Sequence, residues 1–343
     1  MRFSIIVPVY NSQRFLRNSL NSVTRQSFRD YEIILIDDGS TDKSGSICDD
    51  FAKNNKNIIV IHKQNQGQIA ARTDGIKKAV GEYIVFVDSD DILEPNALEV
   101  LNNKIDQYHP DGVIYENSRM TAHGIVKLHS GTNFKEYLLT DKAALYREIL
   151  STSSHCAVWK KAFKRSMFTT SGLEHLFNLR IGEDFYQTMD LISNASSVLF
   201  IPDDLYCYRN NPGSILHKER VASRYKIDFT SAFFVVNLMK EKPFFSEKDI
   251  EEQAILNTYE LAIKLEEISN LKARFEKKKE ILDNIKTEPY FIDYILKYGV
   301  PVLSGKQQEM FDLFLKSDYK KLICKEKIAC FPKRIKHFIS VIL

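Results

Sequence analysis

The sequence predicts an α/β protein, with a mostly parallel sheet flanked by helices and a separate helical region after it. Three observations predict this. The first is a set of short, mostly apolar runs at Phe3–Val7, Tyr31–Ile36, Ile58–Ile61 and Tyr83–Val87, broken only by Ser4 and Glu32. Runs of this kind, with no polar alternation, suit strands covered on both faces. The second is that segments of helical periodicity separate them, giving a βαβα order that implies parallel pairing with helices on both faces. The third is the placement of acidic and glycine-containing turns directly after the strands, as in Asp37-Asp38-Gly39-Ser40-Thr41-Asp42.

Each element follows from its residues. Phe3–Val7 is a buried strand that Pro8 is expected to stop. Ser12–Arg25 is an amphipathic helix with Phe15, Leu16, Leu20 and Val23 on one side. Tyr31–Ile36 is the second strand. Gly39 permits a tight turn after it, and Ser40, Thr41 or Asp42 can cap the next helix. Ile58–Ile61 is the third strand. Gly67–Val80 is a helix with Gly81 as its expected stop. Tyr83–Val87 is the fourth strand, and Pro95 opens a further helix at a position proline tolerates.

Beyond Asp111 the alternation fades. Gly112–Glu116 reads as another strand, and 120–137 as a polar, irregular loop over a site. Asp141–Leu150 and Glu183–Ile192 read as helices, and Val198–Ile201 and Leu205–Arg209 as two short strands around Pro202. From about Val221 onward the pattern becomes long helical segments rich in Lys, Glu, Leu and Ile. These features divide the chain into an α/β domain over 1–217 and a helical region over 218–343, which would make a membrane-surface or oligomer contact.

The composition narrows the classes. With 343 residues, 44% of them hydrophobic, the chain can bury one large core or two smaller ones. A formal net charge of +3 does not indicate a nucleic-acid footprint. Five scattered cysteines lack metal-ligand spacing, and an odd count with no signal peptide fits a reducing cytosol. No apolar stretch approaches the roughly 18 residues that span a bilayer. The expected location is cytoplasmic, either soluble or at the inner face of the cell membrane.

The chemistry concentrates at Asp88-Ser89-Asp90-Asp91, where three carboxylates within four positions follow a buried strand. Carboxylates so crowded repel one another and are costly to bury. A cation resolves the repulsion, and the carboxyl end of a parallel strand is where α/β sheets bind ligands. An Asp-x-Asp pair there suits Mn²⁺ or Mg²⁺ shared with a substrate diphosphate.

The motifs Ile6-Val7-Pro8-Val9-Tyr10-Asn11, Asp37-Asp38-Gly39-Ser40-Thr41-Asp42, Gly81-Glu82-Tyr83, Asp88-Ser89-Asp90-Asp91 and Gly182-Glu183-Asp184 occur in this order. Together they resemble the family 2 glycosyltransferases of GT-A fold, especially bacterial members that assemble capsular, exopolysaccharide or teichoic-acid chains. The resemblance covers Met1 to about His217. It implies that Pro8, Val9, Tyr10 and Asn11 form the loop under a donor nucleotide, that Asp38 accepts from the base, and that Arg72 lies near the nucleotide. It implies that Asp88, Ser89 and Asp90 form the DxD segment, with Asp88 and Asp90 as metal ligands and Asp90 the direct one. Asp184 matches the catalytic base. One departure is that Ala71-Arg72-Thr73-Asp74-Gly75 stands where the family usually has Ala-Arg-Asn-x-Gly.

Other residues carry ordinary readings beside functional ones. Glu183 and Asp184 alone would be an acidic helix start, and Asp37–Ser40 alone a turn and cap. Trp159 lies between the DxD and base motifs and would stack on an acceptor sugar, or simply pack. Arg209 and His217 flank Asn210-Asn211-Pro212-Gly213-Ser214, which reads as a turn or as a lid closing over bound donor. Residues 316–337 hold eight Lys or Arg against Asp318 and Glu326, and 331–343 add an apolar set. That combination suits an anionic membrane surface, the alternatives being a docked solvated helix or an oligomer contact.

The resulting expectation is an inverting, metal-dependent transfer of sugar from a nucleotide-sugar, favoured as a UDP-sugar, to a hydroxyl of a growing cell-surface glycan. The acceptor would be glycan, lipid-linked where the membrane contact operates. Asp38 would accept equally from uracil, thymine or guanine. The rivals are a catalytically silent carbohydrate-binding or assembly subunit, which the intact carboxylate set disfavours, and a dinucleotide-dependent oxidoreductase. The latter lacks Gly-x-Gly-x-x-Gly at the first βα turn, Pro8–Ser12.

Overall fold

In the computed structural model the described residues are 1–121, 124–127, 135–151, 153–171, 183–209, 239–240, 245–270, 274–286 and 305–324. The chain divides into two units, Met1–Ser214 and Ile215–Leu343.

The first unit is built on one sheet. In chain order its elements are β1 (Phe3–Val9), α1 (Leu16–Thr24), β2 (Tyr31–Asp37), α2 (Ser44–Asn54), β3 (Ile58–His62), α3 (Gln68–Lys78), β4 (Tyr83–Phe86) and β5 (Ile92–Leu93). Then come α4 (Ala97–Tyr108), β6 (Gly112–Thr121), β7 (Gly124–Lys127), β8 (Tyr137–Leu139), α5 (Lys142–Ser151), β9 (Lys161–Lys164), α6 (Glu183–Asn194) and β10 (Val198–Arg209). The strand order is β3-β2-β1-β4-β9-β6-β10-β5. β3, β2, β1 and β4 are parallel, β10 is parallel to β6, and β9 runs antiparallel between β4 and β6.

The apolar runs are explained by two separate cores. Phe3, Ile5, Val7 and Val9 of β1 pack with Leu16 and Leu20 of α1 and Leu98 and Leu101 of α4. Ile6, with Ile34 and Ile36 of β2 and Ile84 and Phe86 of β4, packs with Ala71 and Ile76 of α3 on the opposite face. Successive strand residues point to opposite sides, so burial on both faces calls for apolar residues at nearly every position; the buried exceptions Ser4 and Glu32 satisfy each other through a hydrogen bond at 2.5 Å. α3 approaches β1 closely: a Cβ on Gly75 would lie 2.5 Å from Ile6 Cγ2.

Several expectations are corrected. Pro8 does not stop β1, which runs on to Val9. Val87 N–H donates to Ile6 O, and β1–β4 pairing ends at Ile6 and Phe86, so the missing N–H of Pro8 costs no ladder bond. The first helix begins at Leu16, not Ser12. Pro202 does not split β10, which continues through with register shifts between Phe200 and Tyr206. Part of 120–137 is ordered as strand: β6 extends to Thr121, and β7 and β8 follow. β9 and β5 were not foreseen, being a Lys-flanked tetrapeptide and a dipeptide with no periodicity to read.

Gly81 is not the stop of α3, which ends at Lys78. It is glycine because a Cβ there would lie 2.5 Å from the backbone of Phe3 and Ser4, and its N–H donates to Ser4 Oγ at 2.8 Å. Gly81→Ala is expected to lower stability by on the order of 1–3 kcal/mol, because the obstacle is the backbone of a central strand. Urea unfolding measures it, and an unchanged midpoint would refute the close-approach explanation.

The second unit contains α7 (Glu247–Asn270), α8 (Phe275–Lys286), α9 (Gly305–Leu315) and α10 (Tyr319–Cys324). Its core includes Leu261, Leu265, Ile281, Leu282, Phe311 and Phe314. Among the described residues no helix is long and apolar enough to cross a membrane.

Candidate active site

The parallel strands β1, β2 and β4 end at one rim, where the motifs Ile6–Asn11, Asp37–Asp42 and Asp88–Asp91 lie, while Gly81-Glu82-Tyr83 lies at the opposite end of β4. Two of the rim motifs are tied together. Asn11 adopts a left-handed conformation (φ 47°), and its Oδ1 accepts from Thr41 N–H at 2.8 Å while its own N–H donates to Ser40 Oγ at 3.1 Å. Pro8 and Val9 are buried, Val9 in the core with Leu16 and Leu20, and Val9 O accepts from Asp38 N–H at 2.9 Å; Tyr10 is exposed.

Asp38 is buried and holds the entry to α3. Its Oδ1 accepts from Gln66 N–H at 3.0 Å and its Oδ2 from Gly67 N–H at 2.8 Å. Gly67 has φ 93°, which glycine adopts without strain. Asp38 thereby fixes where α3 starts, and α3 carries the next two site residues, Gln68 and Arg72.

Arg72 is fully buried, yet it links distant parts of the chain. Its Nη1 donates to Asp184 Oδ1 at 2.6 Å and to Gln187 Oε1 at 2.9 Å, and its Nη2 lies 3.4 Å from Asp88 Oδ1. Asp88 Oδ1 also accepts from Gln68 Nε2 at 3.2 Å. The DxD aspartate and the expected base, 96 positions apart in sequence, thus share one guanidinium. Burial works against the charge on Arg72, but Asp184, Asp88 and Glu183 outweigh it and hold its pKa above the ordinary arginine value. Thr73, at the departure from the family pattern, turns its hydroxyl back onto Ile69 O at 2.8 Å.

The acidic groups divide by environment. Burial pushes Asp88 up to about 6, helped by the charges of Asp184 and Asp90 and opposed by Arg72. Burial, then the charge of Asp184, pushes Glu183 up to about 8. Burial and the charge of Asp184 thus favour the neutral form of Glu183, which lessens the like-charge repulsion that two ionised neighbours would impose. Asp184, on the first turn of α6, is about a quarter exposed and available to a ligand.

Asp91, absent from the expected site set, is turned inward. Tyr206 O–H donates to its Oδ2 at 2.8 Å, and Arg209 N–H to its Oδ1 at 2.7 Å. Asp88 N–H donates to Tyr206 Oη at 3.1 Å, and Arg209 Nε to Asp90 O at 2.8 Å. The end of β10 therefore holds the shape of the DxD loop. Asp88, Ser89 and Asp90 remain half-buried at the rim. Trp159 stacks on Tyr206 and Tyr208 at centroid distances of 4.6 and 5.6 Å, next to this brace. His217, Gly182 and the stretch 210–217 lie outside the described residues, as does 325–343 of the basic C-terminal segment.

Four residues were missed: Gln68, Asp91, Gln187 and Tyr206. Gln187 was within reach of sequence reasoning, since it lies three positions after Asp184 on one helix face. Tyr206 carried no local signal, because its role depends on β10 pairing beside β6. Among the described residues, no three metal-binding side chains converge. Asp88 and Asp90 alone are a fit only for a hard cation that completes its shell with phosphate oxygens and water.

A family model described as "Glycosyl transferase family 2" matches residues 4–169. GlyG, a glycosyltransferase of Streptococcus pneumoniae serotype 4, is 34% identical over 223 residues, covering 63% of this chain and 73% of its own length. GlyA from the same organism is 32% identical over 62% of this chain, which spans only 31% of GlyA's length. The structure of Staphylococcus aureus TarS residues 1–349 with UDP-GlcNAc superposes with a TM-score of 0.70 at 19% identity, over 94% of this chain and 90% of that one. This likeness shows the GT-A fold. By its motifs, its matched domain and its relatives, the chain belongs to glycosyl transferase family 2.

Proposed function

We propose that the protein is an inverting glycosyltransferase that moves a sugar from a nucleotide-sugar, a UDP-sugar, to a hydroxyl of a growing cell-surface glycan. The observation that carries the reading is the guanidinium shared by Asp88 and Asp184, which brings together the two carboxylates that would serve the diphosphate and the acceptor hydroxyl. The family supports a nucleotide-sugar donor, and the TarS complex with UDP-GlcNAc supports a uridine base.

Pro8–Asn11 and Asp38 would frame the nucleotide. Asp38 is engaged through one lone pair on each oxygen, so its remaining lone pairs are free in kind to accept from a base N–H. Asp88 and Asp90 would hold Mn²⁺ or Mg²⁺ against the donor phosphates, and such a cation makes the diphosphate a better leaving group. Asp184 takes the proton of the acceptor hydroxyl as that oxygen bonds to the anomeric carbon. The anomeric carbon–phosphate oxygen bond breaks on the opposite side, its electrons pass to the nucleoside diphosphate, and the configuration inverts. Glu183 and Trp159 would border the acceptor, and Arg209 with His217 the lid. The basic C-terminal segment would rest on the inner face of the membrane, where a lipid-linked acceptor is presented.

A panel of nucleotide-sugars with Mn²⁺ or Mg²⁺, scored for thermal stabilisation and hydrolysis, tests the reading. A UDP-sugar is expected to stabilise and be turned over. Binding without turnover on any glycan acceptor would favour the silent assembly subunit, and nicotinamide binding alone would end the proposal.

A further inference from the structure

Arg72 was expected near the nucleotide, but its surroundings give it different work. The side chain is fully buried beneath the rim, and its cation lies 5.5 Å from the ring centroid of Phe86. Nη1 and Nη2 are committed to Asp184, Gln187 and Asp88. Nε is also buried, and no acceptor meets it among the described residues. With none of its surface exposed, the guanidinium would have to shift out of the core to touch a diphosphate. Lys161, another buried basic side chain near Asp184, cannot replace it: burial holds its pKa down to about 7, and its Nζ donates to His155 O at 2.5 Å and Ala157 O at 2.6 Å.

We propose that Arg72 is a positioning residue, a buried fork that sets the spacing between the Asp184 base and the Asp88 carboxylate on the diphosphate side, and that it does not bind the donor. The inference rests on the functional reading above. Its physical basis is geometric. In an in-line displacement the acceptor oxygen, the anomeric carbon and the leaving oxygen must align, so the base and the diphosphate holder must sit a defined distance apart. One rigid planar guanidinium spanning the two sets that distance through its two terminal nitrogens. Gln187 Oε1, as second acceptor for Nη1, keeps the plane from swinging toward either carboxylate.

Three variants test this: Arg72→Lys keeps the charge without the fork, Arg72→Met removes both, and Gln187→Leu removes one acceptor of Nη1. Each is measured for UDP affinity by calorimetry in the presence of Mn²⁺, for kcat and donor KM with the nucleotide-sugar turned over by the wild type, and for melting temperature. Arg72→Lys is expected to lose at least about 30-fold in kcat with UDP affinity within threefold of wild type. Arg72→Met should fall roughly a further tenfold in kcat, so that lysine counts as partial rescue. Gln187→Leu should lose several-fold in kcat with donor KM unchanged. If Arg72→Met does not fold, the lysine and leucine variants still decide the matter. A tenfold or greater loss of UDP affinity in Arg72→Lys, with Gln187→Leu like wild type, would mean that the guanidinium binds the donor directly. Wild-type kcat in both Arg72→Lys and Gln187→Leu would overturn the positioning role. A wild type that turns over no nucleotide-sugar would instead overturn the functional reading, and this inference with it.

Discussion

Asp184→Asn is expected to abolish sugar transfer, lowering kcat by roughly 10³-fold, within the range that general bases contribute, while leaving donor binding nearly intact. The amide is isosteric and its oxygen can still accept from Arg72 Nη1, so the contact made at 2.6 Å by Asp184 Oδ1 survives in kind. What is lost is the capacity to receive a proton. The substitution also removes one anionic partner from a buried cation, which ordinarily costs about 3–5 kcal/mol when the charge is left alone. Here Asp88 and Gln187 still face the guanidinium, so the cost should be well below that range. Melting temperature and UDP-sugar calorimetry separate the two effects. A folded Asp184→Asn protein whose transfer stays within tenfold of wild type would remove the base assignment.

Asp90→Ala is expected to weaken metal-dependent donor binding on the order of 100-fold, since loss of a direct ligand should cost at least as much as loss of the groups that support ligands. The brace below the loop should survive, because it uses other atoms. Arg209 donates to the Asp90 backbone carbonyl rather than its side chain, and Tyr206 and the Arg209 N–H hold Asp91. The alanine variant should therefore keep its melting temperature in the absence of nucleotide while losing the shift that Mn²⁺ and UDP produce together. An undiminished shift would mean that Asp88 and the phosphates hold the cation without Asp90, or that no cation takes part.

Asp184 was singled out by the resemblance of its motif, Asp90 by its place after a buried strand, and the latter has a physical reason. Runs such as Ile33-Ile34-Leu35-Ile36 and Tyr83-Ile84-Val85-Phe86 are apolar at every position because helices cover both faces of the sheet. Burial on both faces leaves a one-dimensional trace. A run of carboxylates ending such a strand is conspicuous for the same reason: nothing in the packing calls for it. Elements whose identity rests on partners far along the chain left weaker traces. β9 is four residues, and it is a strand because β4 and β6 lie on either side of it. Pro8 looked like a terminator, and it is tolerated only because pairing with β4 has ended by that point.

From the residues alone come the parallel sheet and the acidic rim at Asp88–Asp91, because backbone periodicity and charge are local properties of a chain, whereas Asp38 and Asp184 stood out only through the resemblance of their motifs to a family. Only the tertiary structure decided how those groups are joined. Asp38 turned out to hold the loop into α3, Asp91 to face inward against Tyr206 and Arg209, and Arg72 to lie in the core between two acids. A buried arginine is stable only where folding delivers carboxylates to it, and no local pattern encodes a partner 112 positions away.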